Sequence, residues 1–333
     1  MKRLIVHIGS EKTATTLIQR FLQKSRQELM TQGIYYPEIG FNSMAHSSLV
    51  APLHEIDQGR PLEFAPNQVV GAYTIDSEWA PLINEINKRE DIHTIILSSE
   101  HFSSRLRDEG VSALKQILLD MHATVDIVYY FRRQDDLLAS AYSTHIKSGG
   151  KLSLEKFYNN NKNSDWYYNF EHIISVWSSI INPSRVIVRP YDLVKKYILV
   201  DFCKSIGLYD EMYNLIGGFN DKSENESWSP RMLKIARLIN VHNLIENNTE
   251  RTGTLSKINK KLFVDDIKGN ILSQEQRDEI LKIYELSNRK LCDRYSYNYD
   301  EIFTQKLDQG SLSPDAINFG IKDFLNLIIN LTD

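Results

Sequence analysis

Cysteine is scarce in this chain: two residues, Cys203 and Cys292, among 333. Two thiols cannot supply the bridge framework that holds small secreted domains together, and both sit among apolar residues at helical spacing, which predicts buried thiols. Long apolar runs are also missing; none approaches the roughly 20 residues needed to cross a bilayer. The amino end, MKRLIV, has two basic residues but an apolar run far too short for a secretory leader, so the expectation is a cytoplasmic protein without a membrane span. Neither sign of charge dominates. Lys and Arg total 39 against 43 Asp and Glu, a net charge of −4, which argues against a nucleic-acid partner bound by bulk electrostatics and requires any anion site to be locally basic. Internal repeats and low-complexity stretches are absent as well.

What remains is ordinary globular material, 42% hydrophobic and 25% charged, with ample length for a substantial core. The most informative stretch is residues 4–19, LIVHIGSEKTATTLIQ. Leu4, Ile5, Val6 and Ile8 have the pattern of a strand buried on both faces of a parallel sheet. Gly9 breaks the run, a polar loop from Ser10 to Thr16 follows, and Leu17, Ile18, Phe21 and Leu22 then recur at helical spacing. A strand, tight loop and helix in that order offer backbone N–H groups and the positive end of a helix dipole to an anion, most often a phosphate. In a nucleotide-binding P-loop the Lys stands six residues after the first Gly, followed by a hydroxyl residue for magnesium. Here those positions hold Thr15 and Thr16, and the lysine of the loop is Lys12, halfway round. No later strand ends in the Asp that would complete a magnesium site; the best ends Ser98-Ser99-Glu100. The loop thus reads as a phosphate cradle without a metal, or as a structural turn with Lys12 solvated.

Further along, residues 40–80 read as irregular, punctuated by Gly40, Pro52, Gly59, Pro61, Pro66 and Gly71. So long a connection is expected to carry substrate contacts, and His46 within it is a candidate base as well as a plain surface histidine. A helix around Trp79–Lys88 precedes a strand at His93–Leu97. Glu100 and His101, just past that strand, fall where α/β proteins bind ligands, and either type can take a proton from a hydroxyl. Residues Val125–Phe131 read as another buried strand, turning at Arg132 and Arg133 into a helix from Asp136. A helix from Asp165 to Trp177, a strand at Arg185–Arg189 with Tyr191 beyond it, and a helix from Val200 to Gly207 complete an α/β core over about 1–218. Past Gly218 the pattern turns helical: Pro230 starts a helix, 245–270 looks basic and irregular, Ser273 caps a helix to about Arg294, and a last helix spans Pro314–Leu331. One domain with a helical carboxyl-terminal subregion is the expected organisation.

The residues HIGSEKTATT resemble the 5′-phosphosulfate loop of the sulfotransferases that use 3′-phosphoadenosine-5′-phosphosulfate (PAPS), whose pattern is a strand, Lys-[Ser/Thr]-Gly-Thr-Thr and a helix. Lys12, Thr13, Thr15 and Thr16 match, and Ala14 replaces the Gly. The stretch VDIVYYFRRQDDLLASAY resembles that family's 3′-phosphate segment, with Arg132 and Ser140 on the ligand positions and Arg133 as an alternative; VIVRPYDLVKK resembles the segment that brings Tyr191 toward the adenine. The NES of 225–227 resembles bacterial members that modify carbohydrates; the Arg-Lys-Gly segment with which human-type members close over the 3′-phosphate is not recognisable, and the NES, Arg231 and the Lys260-Lys261 pair are the candidates to replace it.

What the resemblance implies is a P-loop-like three-layer fold with a central parallel sheet flanked by helices. It implies a donor, PAPS, seated on Ser10, Lys12, Thr13, Ala14, Thr15, Thr16, Arg132, Ser140 and Tyr191, leaving 3′,5′-adenosine bisphosphate as product with no metal. The acceptor hydroxyl, on a saccharide or glycolipid, would be activated by Glu100, His101 or His46, with Lys12 stabilising the leaving phosphate. A P-loop-type small-molecule kinase and a non-catalytic nucleotide-binding protein are the rival readings, and oligomeric state is left open.

Overall fold

A computed structural model of the chain describes residues 1–42, 44–63, 73–220, 228–263, 266 and 271–304. Five strands, β1 (Lys2–Gly9), β2 (Ile34–Tyr35), β3 (Thr94–Ser98), β4 (Ala123–Phe131) and β5 (Arg185–Pro190), form one parallel sheet in the order β2-β3-β1-β4-β5. Parallel pairing forces a crossover between successive strands, and helices supply it, which makes this an α/β protein with a sheet flanked by helices. β1 lies centrally because nothing in Leu4, Ile5, Val6 or Ile8 tolerates water; all four are fully buried. Toward the start of the sheet, Asp126 of β4 is buried and ion-paired to Arg3 of β1 and Arg185 of β5, both at 2.7 Å, so one carboxylate ties three adjacent strands.

The first helix, α1 (Thr15–Lys24), turns Ile18, Phe21 and Leu22 onto a core that includes Ile5, Val128, Tyr130 and Phe202. Cys203 belongs to this core and Cys292 is also buried, as their surroundings in the sequence suggested. Burial pushes the Cys203 thiol up to about 12, which keeps it protonated and inert.

The described residues divide into two compact units. The first takes them from Met1–Arg132, Ser164–Lys222 and Leu286–Ile302, and holds the sheet; the second takes them from Arg133–Asn163, Ser223–Glu285 and Phe303–Asp333, and is helical. The division thus falls within the chain's middle as well as near residue 218. In the second unit the helix Gln134–Lys147 packs against the helices Pro230–Val241 and Gln274–Ile283.

Three stretches differ from the sequence reading. Residues Ser47–Gln58 form a helix within the supposedly irregular 40–80 segment, with Pro52 inside it. Every residue from Ser47 to His54 is buried, so packing outweighs the cost of the missing N–H donor at Pro52. Residues Asn248–Leu262 are likewise helical, capped by the Asn247 side chain on the Glu250 amide, where polar composition suggested a loop. The long helix from Asp165 is two, Asp165–Tyr168 and Phe170–Ile181, with Asn169 between them capping the second. Residues 43, 64–72, 225–227 and the expected helix at Pro314–Leu331 lie outside the described residues.

Candidate functional site

The carboxyl edge of the sheet gathers the candidate residues of the first unit. β1 ends at Gly9, whose φ of +89° belongs to the region that L side chains resist. Space enforces the same choice: a Cβ at Gly9 would lie 2.7 Å from the Cα of Glu100, so the ends of β1 and β3 meet in near contact. The next residue, Ser10, donates its amide to the Tyr130 carbonyl of β4 at 2.7 Å, which fixes the other flank of the loop.

Two non-glycine residues of the loop, Lys12 (φ +64°) and Ala14 (φ +61°), are left-handed. Each such residue costs roughly 1–2 kcal/mol, and the loop is held in this shape by its surroundings. Thr13 is buried and donates its hydroxyl to the Ser10 carbonyl at 2.7 Å, closing the turn from inside. Ala14 is the N-cap of α1 and offers no side-chain acceptor, so the first amides of the helix stay uncapped by the protein, as an anion site requires. Thr15 is buried and Thr16 half-buried at the first turn. Among the described residues Lys12 has no acidic partner in ion-pair range.

Its neighbour Glu11 is the opposite case, and sequence reasoning passed over it. Glu11 pairs with Arg105 at 3.1 Å and accepts the Tyr167 hydroxyl at 2.8 Å. Burial alone would raise its pKa, but Arg105 and His101, helped by the hydroxyls of Tyr167 and Ser104, outweigh this and hold the carboxyl below its ordinary value. The loop is therefore staked down by Glu11 and leaves Lys12 available. Only tertiary contacts distinguish two adjacent charged residues in one turn.

Beside the loop opens a cleft of about 230 Å³ lined by Thr16, Gln19, Asn42, Met44, Ala45, Ser47, Glu100 and His101. Glu100 and His101, adjacent in sequence, both reach it. Burial lowers the basicity of His101, Arg105 lowers it further, and Glu100 and Glu11 only partly offset them, so the imidazole is neutral near pH 7 and able to accept a proton. Gln19, which the sequence reading did not single out, donates its amide to the Glu100 carboxylate at 2.9 Å. Its spacing three residues after Thr16, hence on the same helix face, was the available signal.

His46 does not line this cleft. It is fully buried; Nδ1 accepts the Ser98 amide at 3.0 Å and Nε2 donates to the Pro37 carbonyl at 3.1 Å. Burial takes its pKa down to about 3. With both nitrogens engaged by backbone, His46 braces the segments around β3, and neither the surface nor the catalytic reading fits that position. Glu100 and His101 remain the candidate bases.

At the neighbouring strand ends, Phe131 of β4 pairs with Pro190 of β5, which brings the next residues, Arg132 and Tyr191, side by side. The Arg132 guanidinium lies 5.6 Å from the centre of the Tyr191 ring and 3.9 Å from Asp192, while its Nε is buried without a hydrogen-bond acceptor. A buried, orphaned guanidinium nitrogen beside an aromatic ring fits a phosphate and a base better than it fits an empty surface. Arg133 differs: it is buried in the second unit against Asp135, neither facing solvent nor available as a phosphate ligand. Ser140 is half-buried on the helix Gln134–Lys147 of that unit. Arg231 pairs with Asp266 at 3.3 Å, and Lys260 and Lys261 end the helix Asn248–Leu262.

No helix among the described residues is long and apolar enough to cross a membrane. No family model matches the chain. An uncharacterized protein of Archaeoglobus fulgidus is 29% identical over 177 residues, which are 51% of this chain and 45% of that protein, so the match spans a little under half of the relative's length. Among solved structures, a sulfotransferase from Alicyclobacillus acidocaldarius aligns over 90% of this chain and 97% of its own, at 11% identity and a TM-score of 0.45, a likeness too distant to assign an activity.

Proposed function

We propose that this chain is a PAPS-dependent sulfotransferase that moves a sulfuryl group to an acceptor hydroxyl, on a carbohydrate or glycolipid. The observation that carries the reading is the loop after β1: an uncapped helix start and a lysine without an acidic partner among the described residues, beside a cleft with a carboxylate and a neutral imidazole. The donor supplies an activated sulfuryl group on a phosphate; everything else is asked of the protein. Backbone amides at the start of α1, with Thr15 and Thr16, bind the 5′-phosphate. Arg132 binds the 3′-phosphate and Tyr191 meets the adenine, with Ser140 a further 3′-phosphate ligand by its sequence position. Glu100 or His101 takes the acceptor's proton as its oxygen forms the new S–O bond. The bond from sulfur to the phosphate oxygen breaks in line, and the Lys12 ammonium stabilises the charge that collects there, an electrostatic role worth several kcal/mol in such sites. The polar lining of the cleft, with Asn42, Ser47 and Gln19 beside the base, suits a polyhydroxyl acceptor.

Transfer of labelled sulfate from PAPS to a panel of saccharides and glycolipids, read by mass spectrometry, tests this directly. The expected result is transfer by the native chain, its loss in Lys12→Ala, and loss of 3′,5′-adenosine bisphosphate binding in Arg132→Ala. Turnover of ATP instead, or binding without turnover of either donor, would replace this reading with the kinase or the non-catalytic protein.

A further inference from the structure

Behind Glu100 a file of buried polar side chains runs into the centre of the sheet. The Gln19 amide nitrogen donates to the Glu100 carboxylate at 2.9 Å and lies 3.4 Å from the Ser98 hydroxyl. That hydroxyl is 2.8 Å from Nδ1 of His7, in the middle of β1. Gln19, Ser98 and His7 are all buried. Hydrogen-bond accounting then fixes the orientation of Gln19. A flipped Gln19 would aim its carbonyl oxygen at a carboxylate, so the nitrogen must face Glu100. Ser98 turns a lone pair to Gln19 and shares a hydrogen bond with His7 Nδ1. The other nitrogen, Nε2, is buried without a nitrogen or oxygen partner, and the imidazole ring lies 5.9 Å from the Tyr130 ring and 5.5 Å from the Phe202 ring, centre to centre. Burial takes the His7 pKa down to about 3, so the ring stays neutral.

We propose that Gln19 is a positioning residue, its amide backed by Ser98 and His7 and fixing the Glu100 carboxylate at the wall of the cleft. The near contact of Gly9 with the Glu100 Cα locks the backbone of the same residue, so both halves of Glu100 are held. A carboxylate at a cleft wall gains from such restraint only if its direction matters, since a salt bridge or a solvated acid needs no rigid support. The kinetic consequence rests on Glu100 acting in the reaction proposed above; the arrangement itself does not.

The experiment has two arms, read on the full chain. In the first, nitrogen-15 NMR follows the Gln19 side-chain amide, assigned by its loss in Gln19→Leu, and the His7 ring. The Gln19 amide resonances should move in Glu100→Gln and in Ser98→Ala, and the His7 Nδ1 signal should be displaced in Ser98→Ala. Unmoved signals in variants whose circular dichroism is native would overturn the proposal. In the second arm, Gln19→Leu should lower kcat on the order of tenfold with KM for the donor unchanged, as misplacing a catalytic group does. Ser98→Ala, which removes one oxygen and should fold even if Gln19→Leu does not, should show a smaller fall of the same kind. An unchanged kcat in an active enzyme would also sink the idea. Coupled NMR signals in a protein that transfers no sulfate would uphold the positioning of Glu100 and count against the sulfotransferase reading alone.

Discussion

Two clusters of cations in this protein are arranged in opposite ways. In the helical unit, Asp135 is fully buried between two guanidiniums: Arg133 at 3.0 Å, and Arg277, which also reaches Asp136 at 3.1 Å. Among the described residues, these two positive groups face two negative ones, so their charges are spent on one another. In the loop after β1, the carboxylate nearest to Lys12 in the chain, Glu11, is turned away to Arg105 and Tyr167, and the backbone accepts left-handed residues to keep it so. The first arrangement spends its charges on holding helices together. The second holds its shape with Glu11 while leaving Lys12 without an acidic partner among the described residues, as a site for an external anion would.

The comparison breaks most visibly at Asp135. Asp135→Ala would leave two guanidiniums, both nearly buried, without their shared carboxylate, and should cost about 3–5 kcal/mol, read as a fall in denaturation midpoint. A loss below about 1 kcal/mol would mean that the pairing contributes little to the fold.

Acid probes the buried neutral groups that back the sheet edge. His7 and His46 fall to about 3 in the folded state, so unfolded chains bind protons first as pH drops below about 6.5. Stability should therefore decline on acidification from there down toward pH 3, by about 1.4 kcal/mol per pH unit for each histidine. Chemical denaturation across that range checks the slope, from which His46→Asn should remove about 1.4 kcal/mol per pH unit. Glu11 adds to the same trend: its depressed pKa gives stability that is present above the ordinary carboxylate range and lost as pH falls through the folded value.

Smaller and opposite in sign is Ala14→Gly. At φ +61° the glycine relieves strain, and the change should stabilise the protein by about 1 kcal/mol, seen as a higher melting temperature. Smallest of all is Lys12→Ala, expected within about 0.5 kcal/mol of the native stability because no ion pair is lost. A large loss of stability there would put Lys12 in the same class as Arg133 and end its candidacy as an anion ligand.

Much of this was legible in advance. The apolar run of β1, the β-branched and aromatic run of β4 and the turn residues between them announced a parallel α/β sheet, because water exclusion at such runs is a local property of sequence. Pro230 at the start of its helix was equally plain. The helix through Pro52 was not legible: propensity and punctuation describe an exposed chain, and this helix is buried from Ser47 to His54. The site divides in the same way. Lys12, Glu100, His101, Arg132 and Tyr191 were readable as strand-end residues. Their company was not: Gln19 under Glu100, Glu11 turned to Arg105, Arg133 inward and His46 sealed in the core are matters of who lies opposite, and residues far apart in the chain settle them.

By itself, then, the amino-acid sequence determined which segments become strands, where they stop, and which reactive side chains stand at their ends, since alternation of apolar and polar residues acts over a few positions. Tertiary structure alone decided which of those side chains keep their charge for a ligand and which give it to one another. That choice depends on burial and on partners up to 142 residues away, as between Asp135 and Arg277, where removal from water makes every unpaired charge costly.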